Sequence, residues 1–247
     1  MPWPPSLLSV LLFFSGIVEP LAQARVDWTD GSLIAVAAAA PELLAPNVDI
    51  ARAKAERTAR QAGMTRLQEA VRCLPAGTGV SIGDAIAANA AIGEKLTAVV
   101  GKEAQVLVDY GSDGSARVTF TLALEVVRRV LISAQVLPAD GDQAGAQPNG
   151  RSPSAVLAVL VDARKVRLSP ALAVVLAAGR VRYSGAIVWH QSMSEALADR
   201  RLGVRPARTR AVAFSSGTIE VAIDEDALTA IRDSRALVVV VIGARNK

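Results

Sequence analysis

The sequence predicts an α+β protein of two small α/β units. Each is expected to be a mostly antiparallel sheet with helices packed on it, the first built around one long Ala-rich helix. Three observations lead there. Residues 47–74 carry a ladder at every fourth position (Ala51, Ala55, Ala59, Gly63, Leu67, Val71), the repeat that stacks side chains on one helix face. Residues 116–122 alternate strictly, with Arg117, Thr119 and Thr121 set against Val118, Phe120 and Leu122, the period of a half-buried strand. Residues 138–153, rich in Pro, Gly, Asp, Gln, Asn and Ser, offer almost nothing to bury and read as a flexible linker. The units are then residues 25–137 and a β-rich stretch over 154–247.

Residues 1–24 read as a secretory signal peptide. An apolar run over 7–18, too short to span a bilayer, leads to Ala22-Gln23-Ala24, a small-x-small cleavage pattern. Only the amino terminus supplies positive charge ahead of that run, and an uncleaved anchor is the competing reading. No Cys stands near the cleavage pattern to carry a lipid. Cleavage removes Glu19 and no Lys or Arg, raising the formal charge from +4 by one.

Residues 25–31 read as irregular and 32–39 as a strand, with a Pro-bounded connection over 41–46. Asn47 or Asp49 is placed to cap the long helix. Ala62, Ala70 and Leu74 widen its ladder, while Arg52, Glu56, Arg57, Arg60 and Gln61 fill much of the rest. The ladder is small in its first half and bulky in its second, so the helix can approach a sheet closely and then fill a deeper pocket. Gly63 costs about 1 kcal/mol against Ala in a helix, which implies a packing reason for it. Pro75 and Gly77 stop the helix. Residues 85–100 predict one shorter helix anchored by Ile86, Ile92, Leu96 and Val99. Residues 105–110 and 116–122 predict a hairpin through Gly111-Ser112-Asp113-Gly114. Residues 126–136, apolar with Arg128-Arg129 inside, fit helix and strand equally.

Beyond the linker, 155–161 is a continuous apolar strand, and 172–177 with 180–183 form a hairpin around Ala178-Gly179. A short helix over 192–202, strands over 210–214 and 218–223, and a helix capped by Asp224 and running to Ile231 follow. Residues 235–242 end the fold as a strand apolar on both faces, hence central in its sheet.

Composition narrows the chemistry. Hydrophobic residues make up 51% of the 247 and aromatics 4%, so the core must be Ala, Val, Leu and Ile. A net charge of +4 suits polyanions, yet no Lys/Arg cluster with interleaved aromatics supports nucleic-acid binding. Cys73, the one cysteine, rules out an internal disulfide and reads as a small buried hydrophobe, with cross-linking of two chains as the alternative. His190 is the one histidine and has no metal-ligand spacing around it, so it reads as a surface or internally satisfied residue. Gly77, Gly79 and Gly83 follow a helix instead of a strand and lack a closing Gly-Lys-Ser/Thr, so they read as a helix-to-helix turn, not a nucleotide loop. Asp109 and Asp113 suit a hairpin turn. Trp28 and Trp189 are carbohydrate platforms or, by the commoner pattern, core and rim residues. The candidate contacts for an anion or a partner are Asp162, Arg164, Lys165, Arg205, Arg208 and Arg210, with an Asp162–Arg164 ion pair as the structural alternative. These residues point to no catalytic site, cofactor or metal.

Two segments resemble known bacterial sequences. The run ARAKAERTARQAGMTRLQEAV at 51–71, between a strand with Ala-Pro and a hairpin, resembles the Ala-rich helix of the LPP-twenty family of envelope lipoproteins. A related domain stands at the N-terminus of FlgT-type flagellar assembly proteins. The run VLVDAR at 159–164, with LSPAL at 168–172, is similar to the C-terminal part of uncharacterised exported relatives. This chain departs from the lipoprotein pattern in lacking a lipidated Cys. The resemblance implies a non-enzymatic envelope protein tied to the flagellum or another surface assembly. It would be periplasmic or outer-membrane-associated, without a transmembrane span after the signal peptide. Its partners would be other envelope or flagellar proteins or further copies of itself. The alternative is a periplasmic binding module for an anionic envelope ligand.

Overall fold

A helix with a small-residue face can lie close to a strand whose inward positions are also small, and the first unit is built on that match. The computed structural model describes residues 21–77, 79–137, 158–172, 174–179, 181–183, 187–203, 206–215, 217–222, 224–232 and 236–243. Most of the expected signal peptide, the 138–153 linker and Arg205 lie outside the described residues.

Strand β1 (Leu21–Asp27) pairs antiparallel with β2 (Ser32–Ala39), in register from Leu21↔Ala38 to Asp27↔Ser32. Residues 25–31 are therefore not irregular throughout. The strand, LAQARVD, mixes two apolar residues with small and polar ones, so its signal in the sequence is faint, and pairing with β2 makes it. Asp27 Oδ1 accepts the Thr29 and Asp30 N–H groups at 3.0 Å each and closes the turn. Residues 21–24 are four of the seven in β1, so cleavage after Ala24 would shorten this edge strand by more than half.

Helix α1 (Val48–Cys73) starts at Asn47, whose Oδ1 accepts the Ile50 N–H at 2.9 Å. Its buried residues are the ladder Ala51, Ala55, Ala59, Gly63, Leu67 and Val71. A two-stranded ribbon, β3 (Pro75–Gly77) with β4 (Val80–Ser81), follows it. Ser81 then caps α2 (Ile82–Ala88) in a reciprocal capping box with Asp84. The single helix expected over 85–100 is two. Asn89 is extended, with φ −148, and its side chain caps α3 (Ala90–Glu103) by accepting from Ala91 N–H. An Asn inside an Ala-rich run bonds to the local backbone and breaks the helix.

Strands β5 (Gln105–Tyr110) and β6 (Ala116–Ala123) form the predicted hairpin, and residues 126–136 resolve as helix α4 (Leu124–Ser133). Inside α4, Arg128 is buried with Nη1 3.4 Å from Glu125 Oε1, and Arg129 is exposed. The sheet order is β1-β2-β6-β5, antiparallel throughout. Leu33, Ala35 and Ala37 of β2 lie opposite Leu122, Phe120 and Val118 of β6, and all six are buried in the layer that includes α1. Burying Leu67 and Val71 contributes about 1.5–3 kcal/mol each.

The second unit corrects the expectation of a mostly antiparallel sheet. Its strands are β7 (Ala158–Asp162), β8 (Val175–Ala178), β9 (Val181–Tyr183), β10 (Ile187–His190), β11 (Ala207–Ser215), β12 (Thr218–Val221) and β13 (Leu237–Val241). They run in the order β10-β13-β7-β11-β12-β8-β9. The pairs β10·β13, β13·β7, β7·β11 and β12·β8 are parallel, and only β11·β12 and β8·β9 are antiparallel among the described strands. The physical reason lies in β7 and β13, which are apolar on both faces and need cover on both. Val159, Val161, Val238 and Val240 pack on the side of α6 (Glu225–Arg232). Ala158, Leu160, Val239 and Val241 pack with Ala196 of α5 (Met193–Ala198) and Leu202 of a 3-10 turn (Arg200–Leu202). Strand β13 is interior, paired on both sides as its apolar faces require, but lies second from the sheet's end and not at its centre. Asp224 Oδ1 accepts from Asp226 and Ala227 N–H at the start of α6.

Candidate functional site

The β1–β2 turn joins the two units. Trp28 packs against the cores of both. The backbone N–H of Trp189, in β10, donates to Trp28 O at 3.4 Å, and Thr29 Oγ1 donates to Trp189 O at 2.9 Å. At a second point Leu172 N–H donates to Pro75 O at 3.1 Å, and the Leu172 side chain is part of the first unit's core. Trp28 and Trp189 are thus rim and core residues, with Trp189 buried.

Behind this joint sits the chain's one histidine. His190 is 4% exposed, and its Nε2 lies 3.1 Å from Asp199 Oδ2. A carboxylate only accepts, so Nε2 carries the proton. Asp199 also accepts from Arg201 through Nε and Nη2, at 2.9 and 2.7 Å. The same Nη2 donates to Thr29 O across the joint at 2.9 Å. The Arg201 guanidinium first, with the His190 bond adding to it, holds the Asp199 carboxyl well below the usual carboxylate range despite burial. Asp199 and Arg201 carry no sequence signal for this task, because Thr29 is 172 residues away.

Beside the joint a cleft of about 900 Å3 opens between the units. One wall is the edge of β1 and the last turns of α1, with Val26, Arg66, Cys73 and Leu74. The other is formed by residues following β7 (Leu168, Ser169, Pro170), β10 (Gln191) and β13 (Ile242, Gly243). These three parallel neighbours all end here, and the crevice outside the carboxyl ends of parallel strands is where open α/β sheets receive ligands. Cys73 is exposed in this wall, against the expectation of burial. Val71 and Leu74 take the inward positions, and Cys73, about 100° or more around the helix from either, is turned out.

The six predicted contact residues divide. Arg164 Nε and Nη2 meet the two Asp162 oxygens at 2.9 and 2.8 Å, the structural ion pair considered from the sequence. That guanidinium holds the Asp162 carboxyl below its ordinary range. Lys165 is exposed in the turn after β7. Arg208 and Arg210 stand in register with Leu160 and Asp162, and line a shallow depression of about 480 Å3 beside Met193 and Leu197 of α5. Asp162 and Asp224 share that lining, so the depression holds two arginines and two carboxylates. The structure gathers Asp162, Arg208 and Arg210 there and leaves Arg164 and Lys165 outside the lining. Asp113 accepts from the Ser115 N–H and hydroxyl, a local turn contact.

A surface feature absent from the sequence reading is the loop between β2 and α1. Leu43 is 94% exposed and Leu44 92%, with Val48 and Ile50 also exposed. The loop is held by the Lys54–Glu42 ion pair and an Ala45 N–H bond to Glu42 O at 3.1 Å.

Among the described residues no group of three or more His, Cys, Asp or Glu is arranged to hold a metal ion, and no helix is long and apolar enough to cross a membrane. The sequence matches no protein-family model and no curated protein.

Proposed function

We propose that this chain is an exported, non-catalytic component of the bacterial envelope that acts through protein–protein contacts in a structural or assembly role. The observation that carries the reading is the β2–α1 loop. Two adjacent leucines standing almost wholly in water on one short loop offer an apolar contact surface to a partner. The export component rests on the apolar run and small-x-small pattern of residues 1–24. The setting rests on the resemblance of residues 51–71 to the LPP-twenty helix, with the flagellum as one such assembly. The non-catalytic component is supported by His190, which is buried and committed to Asp199. The alternative, an anion-binding module at Arg208 and Arg210, is weakened by the two carboxylates beside them.

The test is fractionation of the native host with the mature N-terminus sequenced. We expect wild-type protein to stay with the membrane fraction through a high-salt wash, because apolar contacts survive screening. Leu43→Ser with Leu44→Ser should release it to the soluble fraction without changing its thermal stability, since neither residue is buried. Wild-type protein found soluble, or a variant that is still retained, would overturn the reading.

A further inference from the structure

Independently of the loop, we propose that the cleft between the two units binds a small amphiphilic anion, one carboxylate or phosphate head on a single apolar chain. Two arginines, Arg25 at the edge strand and Arg66 on α1, are among its lining residues, and no Asp or Glu is among the described ones. Val26, Trp28 and Ile242, each partly exposed, add apolar surface beside them. A cleft with apolar walls and only positive charge on its lining recognises a ligand with the opposite charge at one end and hydrocarbon behind it. The depression beside α5 differs in its lining, which includes Asp162 and Asp224 as well as two arginines.

The position supports the same conclusion. The cleft lies at the carboxyl ends of β7, β10 and β13 and at a joint between two units, two settings in which ligand sites concentrate. At about 900 Å3 it has room for a chain of ten or so carbons, since ligand pockets run to roughly 300–1,000 Å3. Arg66 already meets Glu69 Oε2 at 3.1 Å. That pair is exposed on both sides and weak, so a ligand head can share or displace it.

The chain supplies its own reporter. Cys73 is its one cysteine, is exposed and lines the cleft, so alkylation of the full chain by neutral iodoacetamide reads occupancy at one position. The probes are decanoate, decyl phosphate and uncharged decanol, each below its micellar concentration. We expect decanoate and decyl phosphate to slow alkylation severalfold and decanol to give little protection. Protection by one of the two anions alone identifies the head group. Arg25→Gln with Arg66→Gln should raise the anion concentration needed for half-protection by roughly tenfold, and Glu69→Gln should lower it. All three substitutions are on exposed side chains, and unchanged thermal stability checks that the variants fold. Absence of protection by either anion would overturn the proposal. So would equal protection by decanol, or protection unaltered in the double arginine variant.

Discussion

At Gly63 two opposing effects can be weighed. Alanine there would improve helix propensity by about 1 kcal/mol. Its Cβ, however, would sit 2.7 Å from Phe120 Cε2 and 3.3 Å from Ala37 Cβ. Phe120 is buried and Ala37 has no side chain to swing away, so overpacking costs about 1–3 kcal/mol. We expect Gly63→Ala to lower stability by about 1 kcal/mol net. Phe120→Leu in the same background should recover part of that loss in urea unfolding. A more stable Gly63→Ala protein would mean that the Phe120 ring moves aside. That this glycine has a packing role is legible in the ladder, because a costly residue on an inward face demands a neighbour. Its neighbour is not legible, since Phe120 lies in a different element. Cys73 shows the same limit from the other side, as one step around the helix separates a core thiol from a cleft thiol.

Among elements, α1 illustrates how far local signals reach. Asn47, the six buried ladder residues and a helix end before Pro75 are all written in its own sequence. Asn47→Ala should destabilise the protein by about 1 kcal/mol through loss of the Ile50 N–H bond, whereas Asn47→Gly should cost only a few tenths. Thermal denaturation of the two variants measures the difference, and equal losses would mean that the side-chain oxygen is not what holds the helix start. Strand β1 marks the opposite case. Apart from Val26 its residues carry little strand preference, and it forms by pairing along the edge that β2 presents. In the second unit the apolar runs of β7 and β13 do announce buried strands. They do not announce their neighbours, and parallel pairing is a property of neighbours.

For the molecule as a whole the decisive contacts run between units. Asp199 ties His190 and Arg201 together, and Arg201 reaches Thr29 in the first unit. Replacing it with Asn removes a charge from a nearly buried network and should cost about 1–3 kcal/mol at pH 7. The folded-state pKa of Asp199 is depressed, so its ionised form stabilises the fold at pH above the unfolded value of about 4. That contribution is lost as pH falls below this value toward the folded one. Urea unfolding at pH 7 and pH 3 should therefore show wild type ahead of Asp199→Asn at the first and the gap narrowed at the second. A gap of constant size would mean that the carboxylate charge plays no part in the joint.

The sequence by itself determined the α+β class, the long helix with its bounds and inward face, the β5–β6 hairpin and the interior place of β13. These are set by repeats of two and about four residues and by contacts a few positions apart, which a single chain displays directly. Only the tertiary structure decided strand direction in the second sheet, the outward turn of Cys73, the Asp199–Arg201–Thr29 connection and the cleft beside it. Each depends on which distant segments become neighbours, and periodicity along the chain carries no record of that.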